Sequence, residues 1–146
     1  MKLQIRRASL KDAIFFYQLR TDINTQKNSF NQKKIKYSNH LKWFKKKIKN
    51  KKTILLVAFF NKSINIATIR YETKKLFTYV SISIYRKFRN LGYGSRILKM
   101  SEKFIKKKLI IISKIKKNNI ASIKIFKKNN YKLINNDNTF VLMKII

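Results

Sequence analysis

The sequence predicts an α/β fold: a mixed, largely antiparallel sheet around a central βαβ unit, with helices on both faces. Three observations carry this. Val80, Ile82 and Ile84 alternate with Ser81 and Ser83, the period of a strand. Ile97, Leu98, Phe104 and Ile105 return at helical spacing shortly after. Between the two stand Gly92 and Gly94, the chain's only glycines.

The other elements follow in order. Leu3 to Arg6 reads as a short strand. Ser9, with Asp12 three residues on, predicts a helix start, and the helix runs from Leu10 to about Arg20 with Ala13, Ile14, Phe16 and Tyr17 inward. Thr21 to Tyr37 is polar and reads as a long loop. Ser38 caps a second helix whose buried stripe is Leu41, Phe44 and Ile48, with His40 and Trp43 side by side on a neighbouring face. Thr53 to Phe60 is almost wholly apolar, as in a strand covered on both faces. Asn61-Lys62-Ser63 turns it into Ile64–Tyr71, and Glu72 to Leu76 connects to the strand ending at Ile84. Leu109–Ile115 is a further buried strand and Asn119–Lys128 a short helix. Tyr131–Ile134 and Phe140–Met143 form a last hairpin around Asn135-Asn136-Asp137-Asn138. No repeat or linker divides residues 1–146, which read as one domain.

Composition excludes several classes. No apolar run approaches the ~20 residues of a membrane helix, and no apolar signal region follows the N-terminus; the expectation is a soluble, cytoplasmic protein that does not enter a membrane. There is no cysteine, hence no disulfide or thiolate chemistry. One histidine and five scattered acidic residues predict no metal site. The net charge of +32 points towards polyanions. The lysines are spread along the chain, however, and lysine, asparagine and isoleucine abound while proline is absent. That is the bias of an AT-rich genome, so a nucleic-acid partner is not expected.

Strand, glycine turn and helix N-terminus together make a phosphate cradle. The first helical amides have no intrahelical partner, and glycine lets the backbone curl towards an anion. A Walker loop needs Lys-Ser/Thr after its last glycine, and Gly94 is followed by Ser95-Arg96; a dinucleotide fingerprint needs a third glycine. The spacing Arg89-x-x-Gly92-x-Gly94, entered from Ile82-x-Ile84, instead resembles the coenzyme A motif of the GNAT superfamily of N-acetyltransferases. A second motif of that family is matched by Ser113, Ile115, Asn119, Ser122, Phe126, Lys128, Asn130 and Tyr131. With the element order, the resemblance covers nearly the whole chain.

The resemblance implies acetyl-CoA as donor and a substrate amine as acceptor. Backbone groups of Ile82 and Ile84 would meet the pantetheine arm where two strands splay. Amides of Arg89, Asn90, Leu91, Gly92, Tyr93 and Gly94, with Ser95, would hold the pyrophosphate, and Asn119, Ser122 and Phe126 would lie along the arm. Read without the family, Asn119 is a helix cap and Ser122 a small packing residue. Two departures stand out. Asn130 replaces a helix-ending glycine, a tolerable exchange at positive φ. Phe126 replaces a tyrosine that in many members protonates the leaving thiolate, which phenylalanine cannot do.

The attacking amine must lose a proton, and the developing oxyanion needs a donor. The candidate proton carriers are His40, Glu72 and Tyr85; the alternatives are a solvent-facing helix residue for His40 and a salt bridge for Glu72. Leu19 to Asp22, Asn28-Ser29-Phe30, His40 to Phe44 and Ile69-Arg70 are similar to a bacterial subgroup that acetylates UDP-linked amino sugars in pseudaminic acid synthesis. This implies Asn28, Ser29, His40 and Trp43 at a nucleotide-sugar acceptor. The other readings are an N-terminal acetyltransferase of the ribosomal-protein alanine type and a basic nucleic-acid module on a degenerate acetyltransferase fold. The oligomeric state is left open.

Overall fold

The computed structural model describes residues 1–61, 63–135 and 137–146. Lys62 and Asn136, which the sequence places in hairpin turns, lie outside the described residues. Seven strands form one sheet: β1 (Leu3–Arg7), β2 (Thr53–Phe60), β3 (Ile64–Lys74), β4 (Phe77–Ile84), β5 (Ile110–Lys116), β6 (Lys132–Asn135) and β7 (Thr139–Ile145), in the order β1-β2-β3-β4-β5-β7-β6. All neighbours are antiparallel except β4 and β5, the expected βαβ unit. The helices are α1 (Ala13–Thr21), α2 (Ile23–Asn28), α3 (Tyr37–Lys49), α4 (Tyr93–Ser101) and α5 (Ile120–Lys128).

The apolar run of β2 is buried from both sides. Leu56, Ala58 and Phe60 meet the core that includes Ile97 and Leu98 of α4 and Ile123 of α5. Leu55 and Val57 meet Phe15, Phe16 and Leu19 of α1 and Phe44 of α3. One strand thus anchors both layers, as its unbroken hydrophobicity requires.

Four expectations need correction. The polar stretch after Thr21 is not all loop: it contains α2, whose N-cap Asp22 accepts a hydrogen bond from the Thr25 amide at 3.2 Å. This short helix buries no residue, so it leaves no apolar period to read. Helix α3 starts at Tyr37 behind Lys36, with Ser38 already inside it. In α1 the inward residues are Ala13, Phe15, Phe16 and Leu19, and Ile14 is exposed. The larger Phe15, Phe16 and Leu19 set the stripe at i, i+1 and i+4. Lastly, Glu72–Lys74 belongs to β3 rather than to a connector.

The start of α1 is fixed by charge. A short 3₁₀ turn, Leu10–Asp12, precedes it. Buried Asp12 accepts from the Ser9 amide at 2.7 Å and pairs with both terminal nitrogens of Arg6 at 2.7 and 2.9 Å. Burial alone would raise this carboxyl; its hydrogen bonds to Arg6 and Ser9 outweigh that and hold it below the usual carboxylate range. Its contribution is therefore complete above its unfolded pKa of about 3.9 and is lost as pH falls through the lower folded value. The urea midpoint should drop on acidification through that range, and Asp12→Asn should flatten the slope. An unchanged slope would refute the assignment.

Among the described residues, five non-glycine residues hold the left-handed backbone: Asn61, Lys75, Asn90, Lys108 and Asn130. Asn130 follows α5, at φ 67°, as expected of a residue standing in for a C-terminal glycine.

Candidate active site

Strands β4 and β5 pair over three residues only: Phe77 with Ile110, Thr78 with Ile111, Tyr79 with Ile112. Beyond them β4 continues beside β3 and β5 beside β7, so a gap opens in the middle of the sheet. The Tyr85 amide donates to the Ile66 carbonyl at 2.7 Å. By strict alternation, Ile82 and Ile84 then turn their amides and carbonyls away from β3, into the gap. The splay that the resemblance implies is present, with these two backbones along its edge.

At the mouth of the gap β4 passes into a 3₁₀ turn, Arg86–Phe88, then the glycine loop, then α4. Asn90 at φ 61° and Gly92 at φ 80° curl the chain, and Gly92 caps α4. Among the described residues the amides of Asn90, Leu91, Gly92, Tyr93, Gly94 and Ser95 have no backbone or side-chain acceptor outside their helix. Six such donors at one helix N-terminus fit a pyrophosphate. The Arg89 amide does not join them, because it donates to the Arg86 carbonyl at 3.3 Å.

The two glycines serve different ends. Gly92 is required by its backbone angle, and a Cβ there would touch nothing within 4 Å. Gly94 is required by packing: a Cβ would press on the tips of Ile125 and, at 2.8 Å, of Ile84. Tyr93 stands edge-on to Phe60 at 5.3 Å, holding the loop against the sheet.

Sequence reasoning missed a residue that fixes this loop. Buried Asn129 donates through Nδ2 to the Ser95 carbonyl at 3.1 Å, to Ser95 Oγ at 3.0 Å and to the Ile125 carbonyl at 2.8 Å. It ties the end of α5 to the first turn of α4. The available signal was an asparagine just before the left-handed Asn130. Asn119 caps α5, accepting from the Ser122 amide at 3.3 Å, so its cap role is present whatever else it does. Phe126 is 2% exposed and packs edge-on to Tyr131 at 4.9 Å. It belongs to the core in this structure.

The opposite face of the sheet carries the other candidates. Ser81 is exposed although β4 is a central strand, so the sheet is bare there. Its cross-strand partner is Arg70. The Arg70 guanidinium lies 5.4 Å over the Trp43 ring, and Trp43 in turn lies 5.3 Å from the His40 ring. Trp43 thus has one face occupied and is not a free stacking platform. His40 is buried among Tyr17, Trp43 and Phe44, which overturns the solvent-facing alternative. Burial first, and the Arg20 charge second, hold its pKa below the ordinary value, so it is neutral at neutral pH. Its Nδ1 has no partner among the described residues.

Glu72 is engaged by Lys47, with Arg70 Nε at 4.0 Å. Burial would raise its pKa, but the Lys47 hydrogen bond and charge prevail and hold it low. The salt-bridge alternative is therefore the one observed. Tyr85 caps the 3₁₀ turn and packs partly buried against the α1–α3 core. Asn28 and Ser29 sit at the end of α2, where Ser29 Oγ donates to the Thr25 carbonyl at 2.7 Å. No hydrogen bond joins them to His40 or Trp43 among the described residues.

Two shallow cavities flank this face. One of about 510 Å³ lies between Phe30 and the β5–β7 strands at Lys114, Thr139 and Val141; neither the amide loop nor Arg70 lines it. The other, about 180 Å³, is lined by Tyr17, Arg20, Gln26, Lys33 and Lys34. Among the described residues no helix is long and apolar enough to cross a membrane.

Comparison with known proteins agrees with this geometry. Residues 2–132 match the family described as an acetyltransferase (GNAT) domain. No curated protein matches the sequence significantly. Several solved structures share the fold at low identity. A phosphinothricin acetyltransferase of the GNAT superfamily from Sinorhizobium meliloti, solved with acetyl-CoA, superposes with a TM-score of 0.81 at 13% identity, covering 99% of this chain and 88% of that one. Spermidine N-acetyltransferase from Vibrio cholerae, solved with coenzyme A and spermine, gives 0.78 at 14%, covering 97% and 92%. A GNAT acetyltransferase from Streptococcus pneumoniae gives 0.76 at 17%, covering 99% of each chain. The family match over most of the sequence, on a splayed sheet whose glycine loop presents unpaired amides, means that the chain belongs to the GNAT family of acetyl-CoA-dependent N-acetyltransferases.

Proposed function

We propose that this chain moves an acetyl group from acetyl-CoA to the primary amine of an anionic, nucleotide-linked amino sugar. Acetyl-CoA supplies the activated thioester. The amides from Asn90 to Ser95 hold its pyrophosphate, and the backbone of Ile82 and Ile84 orients the arm in the gap. The face bearing Ser81 and Arg70 receives the acceptor. His40 holds at neutral pH the unprotonated form that accepting a proton needs.

The observation that carries the acceptor class is the charge balance of that face. Arg70, Arg20, Lys33 and Lys34 stand on it or line its smaller cavity. The nearby carboxylates are already committed, Glu72 to Lys47 and Arg70, and Asp22 to Arg89. A polycation such as spermine would meet repulsion here, whereas a nucleoside diphosphate group would meet cations in excess of carboxylates.

The test is acetyl transfer from acetyl-CoA to a UDP-linked 4-amino sugar, set against spermidine, an aminoglycoside and an alanine-terminated peptide panel. Turnover is expected with the sugar. Arg70→Ala should raise its KM at least about tenfold, the scale of one hydrogen bond to a charged group, and leave coenzyme A affinity unaltered. No turnover with the sugar beside efficient turnover of a polyamine or peptide would reverse the assignment.

A further inference from the structure

The arginine of the glycine loop does not point its side chain at the cradle. Arg89 Nε donates to the Ile84 carbonyl at 2.8 Å, and its Nη2 meets Asp22 Oδ2 at 2.8 Å and Thr25 Oγ1 at 3.5 Å. Asp22 lies 67 residues away in sequence, at the joint between α1 and α2. One planar guanidinium therefore binds three separate things: the end of the strand bordering the gap, the start of the glycine loop through its own backbone, and the cap of the helix over the acceptor face. Both partners of the pair are largely shielded, with side-chain exposures of 22% and 19%.

A planar guanidinium held at two of its nitrogens, Nε by the Ile84 carbonyl and Nη2 by the Asp22 carboxylate, is fixed in direction as well as in distance. Ile84 and the first amides of the loop are positioned by Arg89, and Arg89 is positioned by Asp22. The Asp22 carboxylate is in turn held by the Thr25 amide, so α2 cannot shift without moving the guanidinium.

We propose that Asp22 and Arg89 form a strap coupling the two substrate sites: Asp22, on the acceptor side, is a positioning residue for the coenzyme A loop. The proposal rests on the donor reading given above and is independent of which amine is acetylated. It predicts that changes at Asp22 weaken coenzyme A binding although Asp22 contributes no cradle amide. It also predicts that an acceptor ordering α2 tightens coenzyme A binding, with reciprocal strengthening of the acceptor.

The experiment is calorimetric titration of coenzyme A into the wild-type chain, Asp22→Asn, Arg89→Lys and the exchange Asp22→Arg with Arg89→Asp, with thermal melts of each. Asp12→Asn, which breaks the Arg6–Asp12 pair, a pair with no hydrogen bond to the loop, controls for general loss of stability. Asp22→Asn should raise the coenzyme A Kd by about tenfold, within the range reported for coupling through a contiguous network. Amide hydrogen exchange of Asn90–Ser95 without ligand should quicken in the same variant. The exchange of charges should recover part of the affinity, and Asp12→Asn should lower Tm while leaving Kd unmoved. An Asp22→Asn variant with wild-type Kd and wild-type exchange in the loop would overturn the strap. So would an equal rise in Kd for Asp12→Asn, which would make the effect one of stability alone. Failure of the wild-type chain to bind coenzyme A would overturn the donor reading itself, and the strap's role with it.

Discussion

Gly92→Glu should abolish coenzyme A binding, with a loss of at least about 100-fold from placing a fixed negative charge among the amides that must receive phosphate. The fold should survive. A Cβ at Gly92 meets nothing within 4 Å, so the structural cost is the left-handed backbone alone, about 1–2 kcal/mol, or a fall of about 5 °C in Tm. Gly94→Glu should behave differently. Gly94 is buried between Ile125 and Ile84, so the substitution drives a carboxylate between α4 and α5 and should cost folded protein as well as ligand. The pair of variants separates conformational need from packing need. Wild-type coenzyme A affinity in a folded Gly92→Glu protein would refute the cradle.

Phe44→Ala should be the most damaging single truncation on the acceptor side, at about 3–5 kcal/mol, read from urea or thermal unfolding. Phe44 is fully buried, 5.1 Å from the Phe16 ring and 6.4 Å from His40. It locks α3 onto α1 and so sets where His40 and Trp43 stand. A loss below about 1 kcal/mol would show that this layer repacks freely and that His40 is not held as described.

What could be read beforehand follows the strength of the local signal. The sheet was legible because β2 is continuously apolar and β4 alternates, patterns that burial on two faces or one imposes directly. The glycine loop was legible because a chain with two glycines spends both where backbone geometry or close packing demands them. Helix α2 was not, since it buries nothing and is held by the Asp22 cap and the Arg89 pair, a contact across 67 residues that no local pattern encodes. The burial of His40 beside Trp43 was not legible either, and the solvent-facing alternative stayed open. A histidine scores as polar, yet the rings of Tyr17, Trp43 and Phe44 make a site that accepts it neutral. Glu72 shows the reverse case: among so many lysines a salt bridge was the simpler expectation, and Lys47 supplies it.

The left-handed residues connect glycine scarcity to the energy landscape. Turns of this fold call for positive φ at more places than the chain has glycines, and Asn61, Lys75, Asn90, Lys108 and Asn130 fill them. Asparagine bears that conformation with modest strain; lysine, at Lys75 and Lys108, carries roughly 1 kcal/mol or more. Filling such turns without glycine thus lays a small conformational debt on each of them. Burial on both faces of β2 outweighs that debt, and the left-handed site that does hold a glycine is Gly92, at the N-terminus of α4.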